Sequence, residues 1–393
     1  MPREDVAYAT LQSMRDVPRR ARSGAGMLGG GALVVLLAIA VLALTARAGA
    51  SGVSAPNIQQ VFLINATSRH VKQLTSGRVA HSNVMWLPGG RRVAEIASRG
   101  ALSWIESQTT RGTEAQKLSR TVSDAAMVYS PAARMTAAAL DNESQQSDTL
   151  ELLGAPGTRP TAIDSFPDTG SGPATPVWSP GGQTLAYTRP KGPLDFPTVG
   201  PVSAGPNRIV LLNLRTRKRR TITAGNRGAA GPLFSPNGKW ILYAEGSGNY
   251  DALDIVPAHG GPARQLASNL SMVNPAWSPN GRNIAFTGYT KGNPQPYLFV
   301  LNVRARRLRK LAGSTQNLTP AWSPNSKEIA FATWFTALAP VPPQGYGAVE
   351  VISPDGTAAH VLARVSNSRT DDLAWSPNGS QIAFTLEPAP TGD

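Results

Sequence analysis

The chain has four histidines that could serve in acid–base or metal chemistry, His70, His81, His259 and His360. No two of them have the spacing of a metal pair. His70, His259 and His360 fall in or beside segments that read as outer hairpins, where solvated side chains are expected, and His81 falls in a loop before the first aromatic block. Cysteine is absent, which excludes disulfides, thiolate metal sites, a cysteine nucleophile and an acylated cysteine. There is no G-x-S-x-G for a serine hydrolase. These residues predict no catalytic group, no metal and no cofactor.

Two sets of residues could bind instead. Lys and Arg number 38 against 24 acids, a net charge of +14, and much of the excess lies in two runs. Arg217, Lys218, Arg219 and Arg220 end the first; Arg304, Arg306, Arg307, Arg309 and Lys310 make up the second. Such runs suit an anionic surface, lipid headgroups or acidic wall polymer. Their other role is to keep exposed strand edges from pairing. The second set is aromatic. Two long loops, 188–208 and 333–347, carry Phe196 and Trp334, Phe335 and Tyr346. Long loops on a rigid scaffold are where binding is built, and aromatic anchors dominate interfaces.

The elements that would position these residues are repeated. The blocks Pro275-Ala276-Trp277-Ser278-Pro279-Asn280-Gly281, Pro320-Ala321-Trp322-Ser323-Pro324-Asn325 and Leu373-Ala374-Trp375-Ser376-Pro377-Asn378-Gly379 are each followed by an apolar strand. Looser copies centre on Trp178 and Phe234, and worn ones on Trp86 and Tyr129. The seven aromatics stand 43, 49, 56, 43, 45 and 53 residues apart. In Ser-Pro-Asn-Gly, Pro presets φ, Asn tolerates the third position and Gly takes positive φ, which predicts a tight turn. Each unit reads as four strands, with the aromatic at the end of the first. An aromatic just before a fixed turn is expected to pack between neighbouring units rather than form a ligand-stacking ring. A period of about 45 residues built of strand–turn–strand units marks a β-propeller.

The two ends of the chain are complementary halves. Val61–Asn65 and His70–Leu74 read as a third and fourth strand, and Trp375–Thr385 as a first and second. Joined, they complete one unit and remove bare edges. The expected fold is all-β: a seven-bladed propeller over residues 58–387, closed by pairing of its N- and C-terminal strands, with a tail at 388–393.

The blocks at Trp178, Phe234, Trp277, Trp322 and Trp375 resemble the repeat of the TolB-like β-propeller family, W-S-P-[DN]-G-x-x-I-A-F followed by L-Y-V-x-D. The motif is also shared by propellers of prolyl-oligopeptidase-type peptidases and by many exported proteins. The resemblance implies the fold over most of the chain. It departs from TolB itself in one respect: only residues 47–57 lie between an apolar segment and the first strand, so the α/β domain that precedes the propeller in TolB is expected to be absent.

Ahead of the repeats, residues 1–26 are polar and carry Arg15, Arg19, Arg20 and Arg22, whereas Met27–Ala46 holds no charge. That stretch is long enough to span a bilayer as one transmembrane helix. The Arg cluster before it predicts a cytoplasmic tail at 1–26, an anchor at 27–46, a linker at 47–57 and an extracytoplasmic propeller. The alternative is a secreted protein cleaved near Ala50, since Ala48-Gly49-Ala50 has the small-x-small form. The expected function is a non-enzymatic, monomeric binding scaffold for a protein or a cell-envelope glycan. Nucleic acid is excluded as a partner by export and by the lack of interleaved aromatics. The alternative function is an enzyme, a lyase or hydrolase, with its site in the central channel.

Overall fold

The chain divides into two units, Met1–Gly49 and Ala50–Asp393. The computed structural model describes residues 58–388, apart from 124, 143–146, 168–174, 190–206, 224–227, 247–250, 291–292, 314–318, 337–344 and 367. The expected cytoplasmic tail, apolar segment, linker and the last residues of the C-terminal tail lie outside them. Among the described residues, no helix is long and apolar enough to cross a membrane.

Everything described is strand or turn. In chain order the strands are β1 (Gln60–Asn65), β2 (Val71–Gln73), β3 (Ala80–Trp86), β4 (Arg92–Arg99), β5 (Leu102–Thr109), β6 (Gln116–Lys117), β7 (Val122–Ser123), β8 (Ala125–Ser130), β9 (Met135–Asn142), β10 (Ser147–Leu153), β11 (Thr161–Pro167), β12 (Val177–Trp178), β13 (Thr184–Arg189) and β14 (Arg208–Asn213). They continue as β15 (Arg219–Thr221), β16 (Ala229–Phe234), β17 (Trp240–Glu245), β18 (Asp251–Pro257), β19 (Arg264–Trp277), β20 (Asn283–Thr290), β21 (Asn293–Asn302), β22 (Arg307–Gly313), β23 (Pro320–Trp322), β24 (Ile329–Thr336), β25 (Gly345–Ile352), β26 (His360–Ser366), β27 (Ser368–Trp375) and β28 (Gln381–Pro388). They form antiparallel sheets that follow the repeat. The orders are β3-β4-β5-β6, with β7 also on β5, then β11-β10-β9-β8, β12-β13-β14-β15, β23-β24-β25-β26, and a seven-stranded sheet β16 to β22 in which two repeats share the long β19. The remaining sheet, β2-β1-β28-β27, joins the two ends of the sequence, with Phe62 opposite Phe384 and Ile64 opposite Ile382.

The Ser-Pro-Asn-Gly turns form as their chemistry requires. In the copy at 278–281, the Gly281 N–H donates to the Ser278 carbonyl at 2.8 Å, and the Ser278 hydroxyl donates to Asn280 Oδ1 at 2.8 Å. The Asn283 N–H closes the turn onto Ser278 Oγ at 2.9 Å. Gly281 sits at φ 68°, a region that favours glycine. Where Ser326 replaces glycine, it keeps the left-handed φ of 60°. Its hydroxyl accepts the Asn280 N–H of the neighbouring repeat at 3.1 Å, which offsets the steric cost of a side chain there.

The block aromatics pack between repeats, as expected for core. Trp86, Trp178, Phe234 and Trp322 are buried, and four indoles donate to a carbonyl of the preceding repeat. The pairs are Trp178 to Val128 at 3.0 Å, Trp322 to Ala276 at 3.0 Å, Trp375 to Ala321 at 3.1 Å and Trp86 to Ala374 at 2.9 Å. The core is thus a series of apolar layers, one between each pair of adjoining repeats. One layer unites Phe62, Ile64, Val349, Val351, Ile382 and Phe384, drawn from both ends of the chain.

Candidate functional site

The basic runs lie at the edge strands β15 and β22 and the turns before them, and the structure separates them into two kinds. In the first run, Arg219 and Arg220 are engaged. Arg219 approaches Asp164 at 3.7 Å and donates to the Ile163 carbonyl of the preceding repeat. Arg220 donates to the carbonyls of Ala258 and His259 in the turn after β18. In the second run, Arg309 donates to the Asp355 carbonyl in the turn after β25, and the Lys310 ammonium sits 3.5 Å from the centroid of the Tyr297 ring. Lys72 of β2 does the same as Arg220 and Arg309, reaching the Thr110 and Arg111 carbonyls after β5 at 3.2 and 2.9 Å. Lys72, Arg220 and Arg309 hold equivalent registers, opposite Leu63, Leu211 and Val300. They are clips that tie each outermost strand to the next repeat. Arg217, Lys218, Arg304, Arg306 and Arg307 are exposed. Arg217 and Arg306 hold the turns at left-handed φ of 57° and 52°.

The aromatic set is rearranged. Phe196 lies outside the described residues. Trp334 and Phe335 are not in a loop, because β24 runs on to Thr336 and β25 begins at Gly345. Trp334 stands opposite Gly347 and Phe335 opposite Tyr346 in this hairpin. A Cβ at Gly347 would come 2.5 Å from the Ser368 carbonyl oxygen, so glycine lets the extended hairpin lie flush against β27. The first loop is trimmed likewise, with Arg189 paired to Arg208.

His70, His259 and His360 are exposed, as expected. His81 is not a loop residue. It lies on β3 at 3% exposure, with its backbone N–H bonded to the Gln59 carbonyl at 3.0 Å. Its Nδ1 is 3.9 Å from Glu95 Oε1 and 3.8 Å from Glu106 Oε1. Glu95 and Glu106 are directly opposite on β4 and β5, and His81 pairs with Ala97, two residues along from Glu95 on the same face. The Gln108 amide donates to Glu95 Oε1 at 3.0 Å, and the Trp104 indole to Glu106 Oε2 at 2.7 Å. Burial pushes the Glu95 carboxyl up to about 8, against the Gln108 hydrogen bond and with the Glu106 charge adding to the rise. Burial pushes His81 down to about 4.

A comparison of the repeats would have marked Glu95 in the sequence, though not His81. Val93-Ala94-Glu95 occupies the place of Ile284-Ala285-Phe286 and Ile382-Ala383-Phe384. In those two repeats the residue opposite is also aromatic. Phe286 stacks on Phe299 at 5.6 Å and Phe384 on Phe62 at 5.9 Å. In the first repeat a pair of carboxylates replaces the aromatic pair.

Known proteins share this architecture. Over 72 residues the chain is 39% identical to the Tol-Pal system protein TolB of Ruthia magnifica subsp. Calyptogena magnifica, a match spanning 18% of this chain and only 17% of that protein. The oligogalacturonate lyase of Vibrio parahaemolyticus superposes with a TM-score of 0.62 at 12% identity, over 86% of this chain and 99% of that one. An oligogalacturonate lyase in complex with manganese gives 0.58 at 13% identity, with the same coverage. At such identities the likeness shows the fold alone, a β-propeller. The model of the TolB beta propeller domain matches residues 141–391, the stretch that holds the five well-formed Ser-Pro turns. The chain therefore belongs to the TolB beta propeller domain family.

Proposed function

We propose that the chain is an exported, membrane-tethered propeller of seven blades that binds a protein of the cell envelope and carries out no reaction. Seven aromatic blocks, the two repeats sharing β19 and the joint terminal sheet support the count and the closure. The Arg15–Arg22 cluster and the uncharged Met27–Ala46 segment support the tether and its orientation. The observation that carries the binding reading is where the polar chemistry lies. In the His–carboxylate group found among the described residues, His81 and Glu95 are buried, at 3% and 1% exposure, and Glu106 is partly buried, whereas Arg217, Lys218, Arg304, Arg306 and Arg307 stand in solvent. A protein partner follows the Tol-Pal relative; a wall glycan is the other partner such a cationic surface fits.

Crosslinking of the native membrane followed by capture of the full chain tests this reading. Recovery of a defined envelope protein, reduced when Arg217, Arg304 and Arg306 are together replaced by Glu, is the expected result. Turnover of oligogalacturonate or of peptides by the purified chain would overturn it in favour of an enzyme working in the channel.

A further inference from the structure

We propose that His81, Glu95 and Glu106 form a binding site for a divalent first-row transition-metal ion, Zn²⁺ or Mn²⁺, on the sheet face that packs against the joined termini. Three independent features of the site point to a cation. The first is geometry: one ligand atom from each side chain lies within 4.8 Å of the others. Metal–ligand bonds of about 2.0–2.2 Å would need these atoms to close in by only about half an ångström.

The second is the pairing of two carboxylates directly across a ladder. Like charges in that position repel, and in two other repeats the same position holds a stacked Phe pair. A bound dication resolves the repulsion and compensates charges that burial would otherwise expel. The third is the state of the remaining polar atoms. His81 Nδ1 and Glu95 Oε2 are buried without a hydrogen-bond partner, and buried polar atoms in native proteins nearly always have one. Meanwhile Gln108 and Trp104 each donate a hydrogen bond to one carboxylate, which is the outer-shell support that metal-ligating groups receive. One imidazole with two carboxylates suits Zn²⁺ or Mn²⁺, and leaves room for water in the coordination sphere.

The site's location gives it a structural role. Val93 and Trp86, on the same face as Glu95, pack against Val61, Leu63 and Ala383 of the sheet that joins the two ends of the chain. An ion here stiffens the first repeat where it meets that sheet.

The full chain, purified in detergent, is stripped with a chelator and titrated with ZnCl₂ and with MnCl₂ by calorimetry, with metal content measured after gel filtration. One ion per chain is expected, with a rise in the melting temperature on reloading. Glu106→Gln and His81→Ala should each abolish the retained ion. Gln108→Ala, which leaves all three ligands in place, should weaken affinity by about 10- to 100-fold. The stripped Glu106→Gln chain should melt close to the stripped wild type, because its amide keeps an oxygen to accept the Trp104 indole N–H, so loss of metal and loss of fold are separable. Failure of both ions to remain bound at one equivalent would overturn the proposal. So would retention of the ion by folded Glu106→Gln and His81→Ala chains.

Discussion

The Trp86 indole N–H donates to the Ala374 carbonyl at 2.9 Å, across 288 residues of sequence and between the first and the last aromatic blocks of the chain. The same bond, at 3.0–3.1 Å, links Trp178, Trp322 and Trp375 to the repeat before each. The junction at the chain ends is therefore built like the interior ones. Trp277 is the exception, since its indole nitrogen is buried with no partner.

That exception supplies a control. Trp86→Phe, Trp322→Phe and Trp375→Phe each leave a partly buried carbonyl without its indole donor and should cost about 1–3 kcal/mol. Trp277→Phe removes an unsatisfied N–H and should cost less than any of them. Denaturant unfolding of the four variants checks the order.

Pairing of the termini predicts that the last strands are indispensable. Deletion of residues 373–393 strips β1 of its partner and removes Phe384, which is fully buried against Phe62. The truncated chain should lose its cooperative melting transition, as followed by calorimetry. Within the full chain, Phe384→Ala should destabilise by about 3–5 kcal/mol.

The division of the basic runs predicts two classes of variant. Arg220→Ala and Arg309→Ala cut clips to the next repeat and should lower the melting temperature with little change in partner capture. Arg217→Glu and Arg304→Glu change exposed turn residues and should leave melting unchanged. They should weaken association with anionic surfaces, most at low ionic strength, where the Debye length is long. Melting curves and sedimentation at two salt concentrations separate the classes.

Two glycines with the same backbone angle should respond differently to alanine. Gly182 and Gly281 both have φ 68°, so the conformational cost is shared, at about 1 kcal/mol. At Gly182 the new Cβ would also meet the Ala133 backbone nitrogen at 2.6 Å, whereas at Gly281 the nearest atom is 4.0 Å away on Pro236. Gly182→Ala should therefore be the more destabilising in thermal melts.

Glu350 predicts a pH dependence. Burial raises its pKa above the ordinary 4.5, against the Thr333 hydroxyl that donates to Oε1 at 2.9 Å and the charge of Arg364. The folded state then holds the proton to higher pH than the unfolded state. Its contribution falls as pH rises from 4.5 through the raised value, and is level beyond it. Glu350→Gln keeps an acceptor for Thr333 and has no charge to bury. Its unfolding free energy should exceed that of wild type at neutral pH, and the two should converge toward pH 4.

The sequence by itself determined the all-β repeat, the form of its turns and the union of its two ends. These rest on local chemistry: hydrogen bonds within Ser-Pro-Asn-Gly span at most five residues, and half-units at the termini must find each other to cover their edges. Tertiary structure decided the rest. The clips and the indole bonds end on backbone carbonyls, which every residue has and which leave no mark in composition. The close approach of the hairpin at Phe335 and Tyr346 to β27 depends on the space beside Gly347, set by a neighbouring strand. His81, Glu95 and Glu106 come from three strands, and only the register of β3, β4 and β5 turns them to one face, because side chains alternate across a sheet and one residue of slip would have parted them.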